Sequence, residues 1–433
     1  MIYILVQKIT PRLRYIITTL FEERLGLRVQ LTDNPAITLN TGDAGVSYGM
    51  VHKAMLSIPA QGLLFSDAIV SLNPVVERAD GESMIFRCGG EGYDTPFDLF
   101  SAIFFLLSRY EEYLPFEPDI HGRFASHNAW SVGLSLECVP LADRWLLYLE
   151  RLLNSRFPGL PITKASYRFL PTIDIDNAWA FKHKTLWRQA GGTARSLLRW
   201  DIEAVRRRIS VVIAGTRDPF DTYDSIFTMN SAARSPLFFL LMSNKGTNNH
   251  NLSPQNRHWQ QQIRSLASVT EVGIHPSYEA FLDEEAMKQE IDTLEAITGK
   301  KITSSRQHFL RLSLPITYRI LSRCGIREDY SLGFADRIGF RAGTTHPFRF
   351  FDLEANCETG LMLYPLTIMD GTLLDYMQLS PQKAIEKITL LAENTRRHHG
   401  TFVSLWHNES LGEYRRWKGW REVYRKMNEL CKE

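Results

Sequence analysis

The segment Phe169-Leu170-Pro171-Thr172-Ile173-Asp174-Ile175-Asp176 runs an apolar strand into two carboxylates. Residues two apart on a strand point the same way, so Asp174 and Asp176 share one face at its end. Two carboxylates so close repel each other unless positive charge lies beside or between them. A metal ion meets that need: one Asp binds it and the other acts as a base on an activated water. The local alternative is a turn or helix cap after the strand, where Asp is common.

Other strand ends carry the same kinds of group. His275 follows the strand candidate 270–274, and Arg306 and His308 follow 302–305. His407 follows Thr401-Phe402-Val403-Ser404-Leu405-Trp406. Asp370 follows Leu366-Thr367-Ile368-Met369, but Asp370-Gly371 reads equally well as a turn and is given no catalytic role. His398 and His399 fall at a helix end and read as surface. Each residue alone has a structural explanation, such as a packed histidine or an arginine paired with a structural carboxylate. Their coincidence at the carboxyl ends of successive strands, where α/β barrels build active sites, is the stronger signal.

The elements that must position these groups alternate. Strands are expected at 2–6, 27–31, 167–175, 237–242, 270–274, 302–306, 361–368 and 401–406. Thr10-Pro11 and Thr95-Pro96 read as helix starts, and helices are expected near 141–153, after Asp283 and after Ser380-Pro381. Pro158, Gly159 and Pro161 mark a boundary within 155–165, which separates an N-terminal α/β unit (1–158) from the remainder (159–433). The βαβα order of the second part implies a mainly parallel sheet, open or closed into a barrel. The polar cluster Arg109-Tyr110-Glu111-Glu112-Tyr113 with His121-Gly122-Arg123 reads as a solvated helix end, and the arginines from Arg195 to Arg217 as a solvated helix face.

The chain has 433 residues, 44% hydrophobic and 23% charged, and a net charge of +2. That balance gives no global reason to expect nucleic acid or an anionic membrane as partner. Five cysteines without CxxC spacing argue against a disulfide framework or a cysteine zinc site, and fit the cytoplasm. The N-terminus reads as a short strand and not as a signal peptide, and no apolar run approaches the ~20 residues of a membrane span.

Four motifs then resemble those of the NodB-homology polysaccharide deacetylases, carbohydrate esterase family 4. These are Thr172-Ile173-Asp174-Ile175-Asp176, Glu271-Val272-Gly273-Ile274-His275, Ser305-Arg306-Gln307-His308 and Leu405-Trp406-His407-Asn408, in the family's order over roughly 165–410. The resemblance implies a deformed (β/α) barrel of the NodB type behind an N-terminal accessory α/β domain of unknown role. It implies a metal-dependent hydrolase, with zinc the foremost metal, that removes acetyl groups from N-acetyl or O-acetyl sugars or polysaccharide precursors. Asp174 would be general base, His407 general acid, Arg306 the residue that holds the base, and Asp176 and His275 metal ligands. The second histidine of the family's His-x-x-x-His motif falls on Glu279. The third ligand is then His308, with Glu279 as the alternative. A catalytically degenerate carbohydrate-binding or regulatory protein on the same barrel is the competing expectation. The sugar and the oligomeric state stay open.

Overall fold

The computed structural model describes every residue except 41, 80, 231–234, 244 and 433. Strand β1 (Ile2–Val6) is an apolar run, and Thr10 caps α1 (Pro11–Ile17) by accepting the Leu13 N–H. A wider turn over Thr18–Arg24 carries the chain on to β2 (Val29–Thr32), β3 (Ala44–Tyr48) and β4 (Leu56–Ile58). These four strands are parallel in the order β2-β1-β3-β4. A hairpin follows, β5 (Glu77–Ala79) and β6 (Glu82–Met84), then α2 (Leu99–Leu107), the short α3 (Trp130–Gly133) and α4 (Leu141–Arg156).

Helix α2 starts three residues beyond the expected Thr95-Pro96 signal. Asp98 is its cap, accepting the Ser101 N–H at 2.9 Å, while the Thr95 hydroxyl turns to the Phe97 carbonyl. Pro96 precedes a strand bridge between Phe97 and Arg87, so the chain there is extended. A carboxylate that also receives the buried Tyr48 hydroxyl outcompetes a threonine as the point where helix begins.

The second sheet has nine strands: β7 (Arg168–Ile175), β8 (Leu237–Leu241), β9 (Val272–His275), β10 (Ser304–Ser305), β11 (Glu328–Asp329), β12 (Phe348–Asp352), β13 (Cys357–Leu363), β14 (Ile368–Met369) and β15 (Thr401–His407). Their spatial order is β12-β13-β11-β10-β9-β8-β7-β15-β14, and every pairing is parallel except β12 with β13. The single strand expected over 361–368 is therefore two, β13 and β14, which lie far apart in that order. The helices between strands are α5 (Leu186–Leu198), α6 (Ile202–Val212), α7 (Tyr223–Asn230), α8 (Arg257–Val269), α9 (Glu284–Thr298), α10 (Ile316–Arg323), α11 (Pro381–Arg397) and, at the end, α12 (Trp420–Leu430). Asp283 and Ser380 cap α9 and α11, and Gly299 stops α9 in the left-handed conformation at φ 68°.

Alternation along the strands sorts the side chains into two layers. Phe169, Ile173 and Ile175 of β7, Phe238 and Leu240 of β8, and Phe402 and Trp406 of β15 join the large core under the helices. That core continues without a break into the N-terminal sheet. Leu170, Leu237, Phe239, Val403 and Leu405 face the other way and meet Tyr330, after β11, and Leu366, before β14. Side chains from the middle and from both flanks of the sheet thus share one inner cluster, so the sheet is strongly curled. Among the described residues its hydrogen bonding is that of an open array with β12 and β14 at the edges. Among the described residues no helix is long and apolar enough to cross a membrane.

Two polar groups read as surface are buried. Arg109 and Glu112 are joined at 2.7 Å, and Glu112 also holds Arg341 at 2.6 Å. Residues more than 200 positions away in sequence bury what a local reading leaves in solvent. His398 is also buried, with its Nδ1 at 2.7 Å from the Asn394 carbonyl and its own carbonyl at 2.9 Å from His346 Nε2.

Candidate metal and acid–base centre

The inner face of β7 reads Leu170, Thr172, Asp174 and then Asp176 just past the strand end. The inner face of β15 reads Val403, Leu405, His407. In the parallel register of these strands His407 lies directly opposite Asp174. His275 ends β9, and Arg306 and His308 follow β10, whose Ser305 pairs with Ile274. The six side chains singled out at strand ends therefore meet at one end of the curled sheet, above the apolar inner cluster.

Asp176 is the hub. Its carboxylate lies 3.1 Å from His275 Nε2, 3.5 Å from His308 Nε2 and 3.6 Å from His407 Nε2. Asp174 Oδ2 is 3.8 Å from His275 Nε2, and Asp174 Oδ1 is 3.7 Å from the Arg306 guanidinium. Asp174, His275 and His308 are almost wholly buried, whereas the Asp176 and His407 side chains keep 29% and 19% exposure. The centre thus opens to solvent on the side of Asp176 and His407.

Each imidazole is oriented by a partner behind it. His275 Nδ1 lies 2.5 Å from the Arg306 carbonyl. A carbonyl only accepts, so Nδ1 carries the proton and the Nε2 lone pair of the neutral ring faces Asp176. His308 Nδ1 lies 3.2 Å from Asn249 Oδ1. The Asn249 amide is set by the Tyr278 N–H on its oxygen and by the Lys245 carbonyl and the Glu279 carboxylate on its nitrogen, so His308 also donates from Nδ1. His407 Nδ1 lies 2.8 Å from Asp370 Oδ1, and the His407 backbone N–H donates to Asp370 Oδ2 at 2.8 Å.

Asp370, given no catalytic role because Asp370-Gly371 reads equally well as a turn, stands directly behind His407. It is wholly buried on β14's end, beside β15, and its Oδ1 also takes the Gly371 N–H. Its signal was already present, since it too ends a strand. A local Asp-Gly pair masks that signal, because the β14–β15 adjacency is non-local. Glu279, in contrast, spends one carboxylate oxygen on Asn249 and stands outside the group formed by Asp176, His275 and His308.

These three residues fit a metal ion. One potential ligand atom from each lies within 4.8 Å of the others. Oδ1 of Asp176 and Oδ1 of Asp174 are buried with no hydrogen-bond partner, although buried carboxylate oxygens are ordinarily paired. Two imidazole nitrogens with a carboxylate form a borderline-soft donor set, and each imidazole has the outer hydrogen bond that metal-binding histidines require. Without a cation, a proton on Nε2 of His275 or His308 would have to take its place beside the Asp176 carboxylate.

The electrostatics follow the same geometry. Burial alone would raise the Asp176 pKa, but His308 and His275 beside it hold it well below the usual carboxylate range. Burial would lower His407, yet the Asp370 carboxylate outweighs it and holds His407 well above an ordinary imidazole. Burial pulls His308 down despite Asp176. The Arg306 guanidinium, also lowered by burial, donates to Thr172 Oγ1 at 2.8 Å and lies 4.9 Å from the Phe239 ring centre.

The loop that carries His308 is strained and braced. Phe309 and Leu310 both have positive φ, 60° and 53°. Each such non-glycine residue costs about 1–3 kcal/mol and persists only where the surroundings enforce it. The N-terminal part supplies much of that enforcement. Arg123 donates to the Phe309 carbonyl at 2.7 Å, the His121 ring lies against Phe309, and Arg311 donates to the His121 carbonyl at 2.7 Å. The cluster read as a solvated helix end is thus part of the support of this centre.

Residues 2–158 match a family of unknown function, DUF7033. No curated protein matches. Among solved structures, a protein described as a polysaccharide deacetylase from Mycobacterium smegmatis is similar at 17% identity and a TM-score of 0.39, over 62% of this chain and 84% of that one. The polysaccharide deacetylase Bc1974 from Bacillus cereus is similar at 12% identity and a TM-score of 0.28, over 61% of this chain and 86% of that one. Both likenesses are too distant to assign a function, so assignment falls to the side-chain geometry.

Proposed function

We propose that the chain is a metal-dependent hydrolase that removes acetyl groups from an acetylated carbohydrate. The observation that carries this reading is one carboxylate, Asp176, ringed by three imidazoles at 3.1, 3.5 and 3.6 Å, beside a second carboxylate, Asp174, whose Oδ1 accepts no hydrogen bond. Asp176, His275 and His308 would hold the cation, with zinc first among those their chemistry suits. A cation so held supplies a Lewis acid for the acyl carbonyl.

The remaining groups divide acid–base work. Asp174 takes the proton of a water as it attacks the acyl carbon. Arg306 holds Asp174 in place from 3.7 Å. His407, kept protonated by Asp370, gives its Nε2 proton to the departing nitrogen or oxygen. Asp370 is a positioning residue that fixes the His407 ring, in the role a carboxylate plays behind a catalytic histidine. On this reading the curled sheet is a deformed β/α barrel, residues 159–433 are its domain, and residues 1–158 are an accessory domain that steadies the His308 loop. The five unpaired cysteines favour a cytoplasmic setting, where acetylated sugar precursors are at hand.

The test is a screen of metal-loaded protein against acetylated sugars and sugar nucleotides, with released acetate as the readout. Turnover that disappears in Asp174→Asn supports the reading. Undiminished turnover in that variant, or no acetate from any acetylated carbohydrate, overturns it.

A further inference from the structure

Helix α5 is inside out. Leu186, Ala190, Ala194 and Leu197 recur at i, i+4, i+8 and i+11, and Trp187 and Leu198 flank them, so all lie on one face. That face is the exposed one. Its opposite side, with Gln189, Thr193 and the buried Ser196, turns inward. Helix α6 repeats the arrangement: Ala204 and Val211 are buried, while Ile202 and Ile209, with Ile213 just beyond the helix, are exposed beside Arg206 and Arg207. Five of the six most exposed large apolar side chains among the described residues lie here: Trp187 (88%), Trp200 (86%), Leu186 (85%), Leu198 (83%) and Ile213 (79%).

The inward side of this helical hairpin is held to the body of the chain. Asp201 pairs with Arg415, Arg208 donates to the Gln189 side chain at 2.9 Å, and Val211 packs with Phe181 and Tyr414. The hairpin is therefore docked firmly and presents an apolar plane outward. Residues 186–213 hold six arginines and two acids, Asp201 and Glu203, a net +4 on a chain whose total is +2. Arg206 and Arg207 beside the exposed apolar side chains, with Arg188, Arg195 and Arg199 exposed at the rim of the cavity beneath, suit the boundary between anionic headgroups and acyl chains. Thirteen residues of α5, about 20 Å long, are too short to cross a bilayer and suit lying in its surface. The cavity beneath the hairpin, about 500 Å³, is lined by Lys184, Arg188, Arg195, Arg208 and Arg415 and reaches Asn177, the neighbour of Asp176. It has the charge to receive the anionic end of a molecule held at that surface.

We infer that the α5–α6 hairpin is an interfacial anchor that seats the protein on an anionic lipid bilayer. The inference stands on the hairpin alone and is independent of the reaction assigned to the centre.

The test is co-sedimentation of the full chain with phosphatidylcholine vesicles, with and without phosphatidylglycerol, at low and high salt. Binding to the anionic vesicles is expected, weakened by salt. Arg206→Gln and Arg207→Gln should each lower it roughly fivefold. The triple variant Trp187→Ser, Leu198→Ser, Trp200→Ser should abolish it. All three side chains are solvent-exposed, so circular dichroism should show an unchanged fold. Tryptophan emission of the wild type should shift to the blue on binding. Wild-type protein left in the supernatant with anionic vesicles overturns the inference, as does equal binding by the triple variant. Concentration-dependent self-association that is lost in the triple variant, without vesicle binding, would also overturn it and make this plane an interface between copies of the chain.

Discussion

Two of the buried polar clusters among the described residues differ in whether their charges are spent. In the Arg109–Glu112–Arg341 cluster every charge has a close partner. Arg109 reaches Glu111, Glu112 and the Arg341 carbonyl, and Arg341 grips Glu112 through two nitrogens at 2.9 and 2.6 Å. In the Asp174–Asp176 cluster, one oxygen of each carboxylate and two nitrogens of Arg306 have no hydrogen-bond partner. Buried charges that satisfy one another fix a fold. Buried charges left unspent are costly and persist where a ligand or a reaction uses them. The first cluster joins the turn after α2 to the loop between β11 and β12, and the second cluster is where chemistry is expected.

Substitutions should separate the two. The largest effect belongs to the second cluster: Asp174→Asn or His407→Ala should lower turnover of a confirmed substrate roughly 10²–10⁴-fold while the melting temperature hardly changes. The opposite pattern is expected of Arg341→Ala, which removes one of the two arginines that neutralise the buried Glu112. Denaturant unfolding should show a loss of about 1.5–3 kcal/mol, with chemistry per folded molecule preserved. If Arg341→Ala abolished turnover in fully folded protein, the contrast between the clusters would fail.

A smaller effect is expected one step behind the ligands. Asn249→Ala frees the His308 ring and should weaken metal binding about 10–100-fold, read by competition with a chromogenic chelator. The smallest change concerns pH. Asp370 raises the His407 pKa against the effect of burial, and His407 must be protonated to act as an acid. In Asp370→Asn the pKa falls, so the alkaline limb of the kcat/KM profile should move to lower pH. An unmoved limb would remove His407 from the role of acid.

Much of this contrast was legible in the sequence, and the exceptions share a cause. Strand-end placement of Asp174, His275, Arg306, His308 and His407 follows from apolar runs that end in polar residues, a local pattern. The parallel order of the second part follows from alternating periodicities of the same kind. Asp370 escaped because Asp-Gly is a strong local turn signal, whereas its pairing with His407 depends on β14 lying beside β15. Arg109 and Glu112 escaped because the arginine that buries them is 229 positions from Glu112 in the chain. The strand over 361–368 split because Leu366 leaves one flank of the sheet to reach the other, a property of the curl and not of the run. The apolar face of α5 was plain in its periodicity, but periodicity alone does not say which face meets solvent. In each case the missing information is which distant segment comes to rest alongside.

The most direct test of the central claim is zinc titration of purified, metal-stripped protein by calorimetry. One equivalent should bind to the wild type and to Glu279→Gln, and none with comparable affinity to His275→Ala or His308→Ala. Absence of stoichiometric binding by the wild type, or binding undisturbed in both histidine variants, would contradict it.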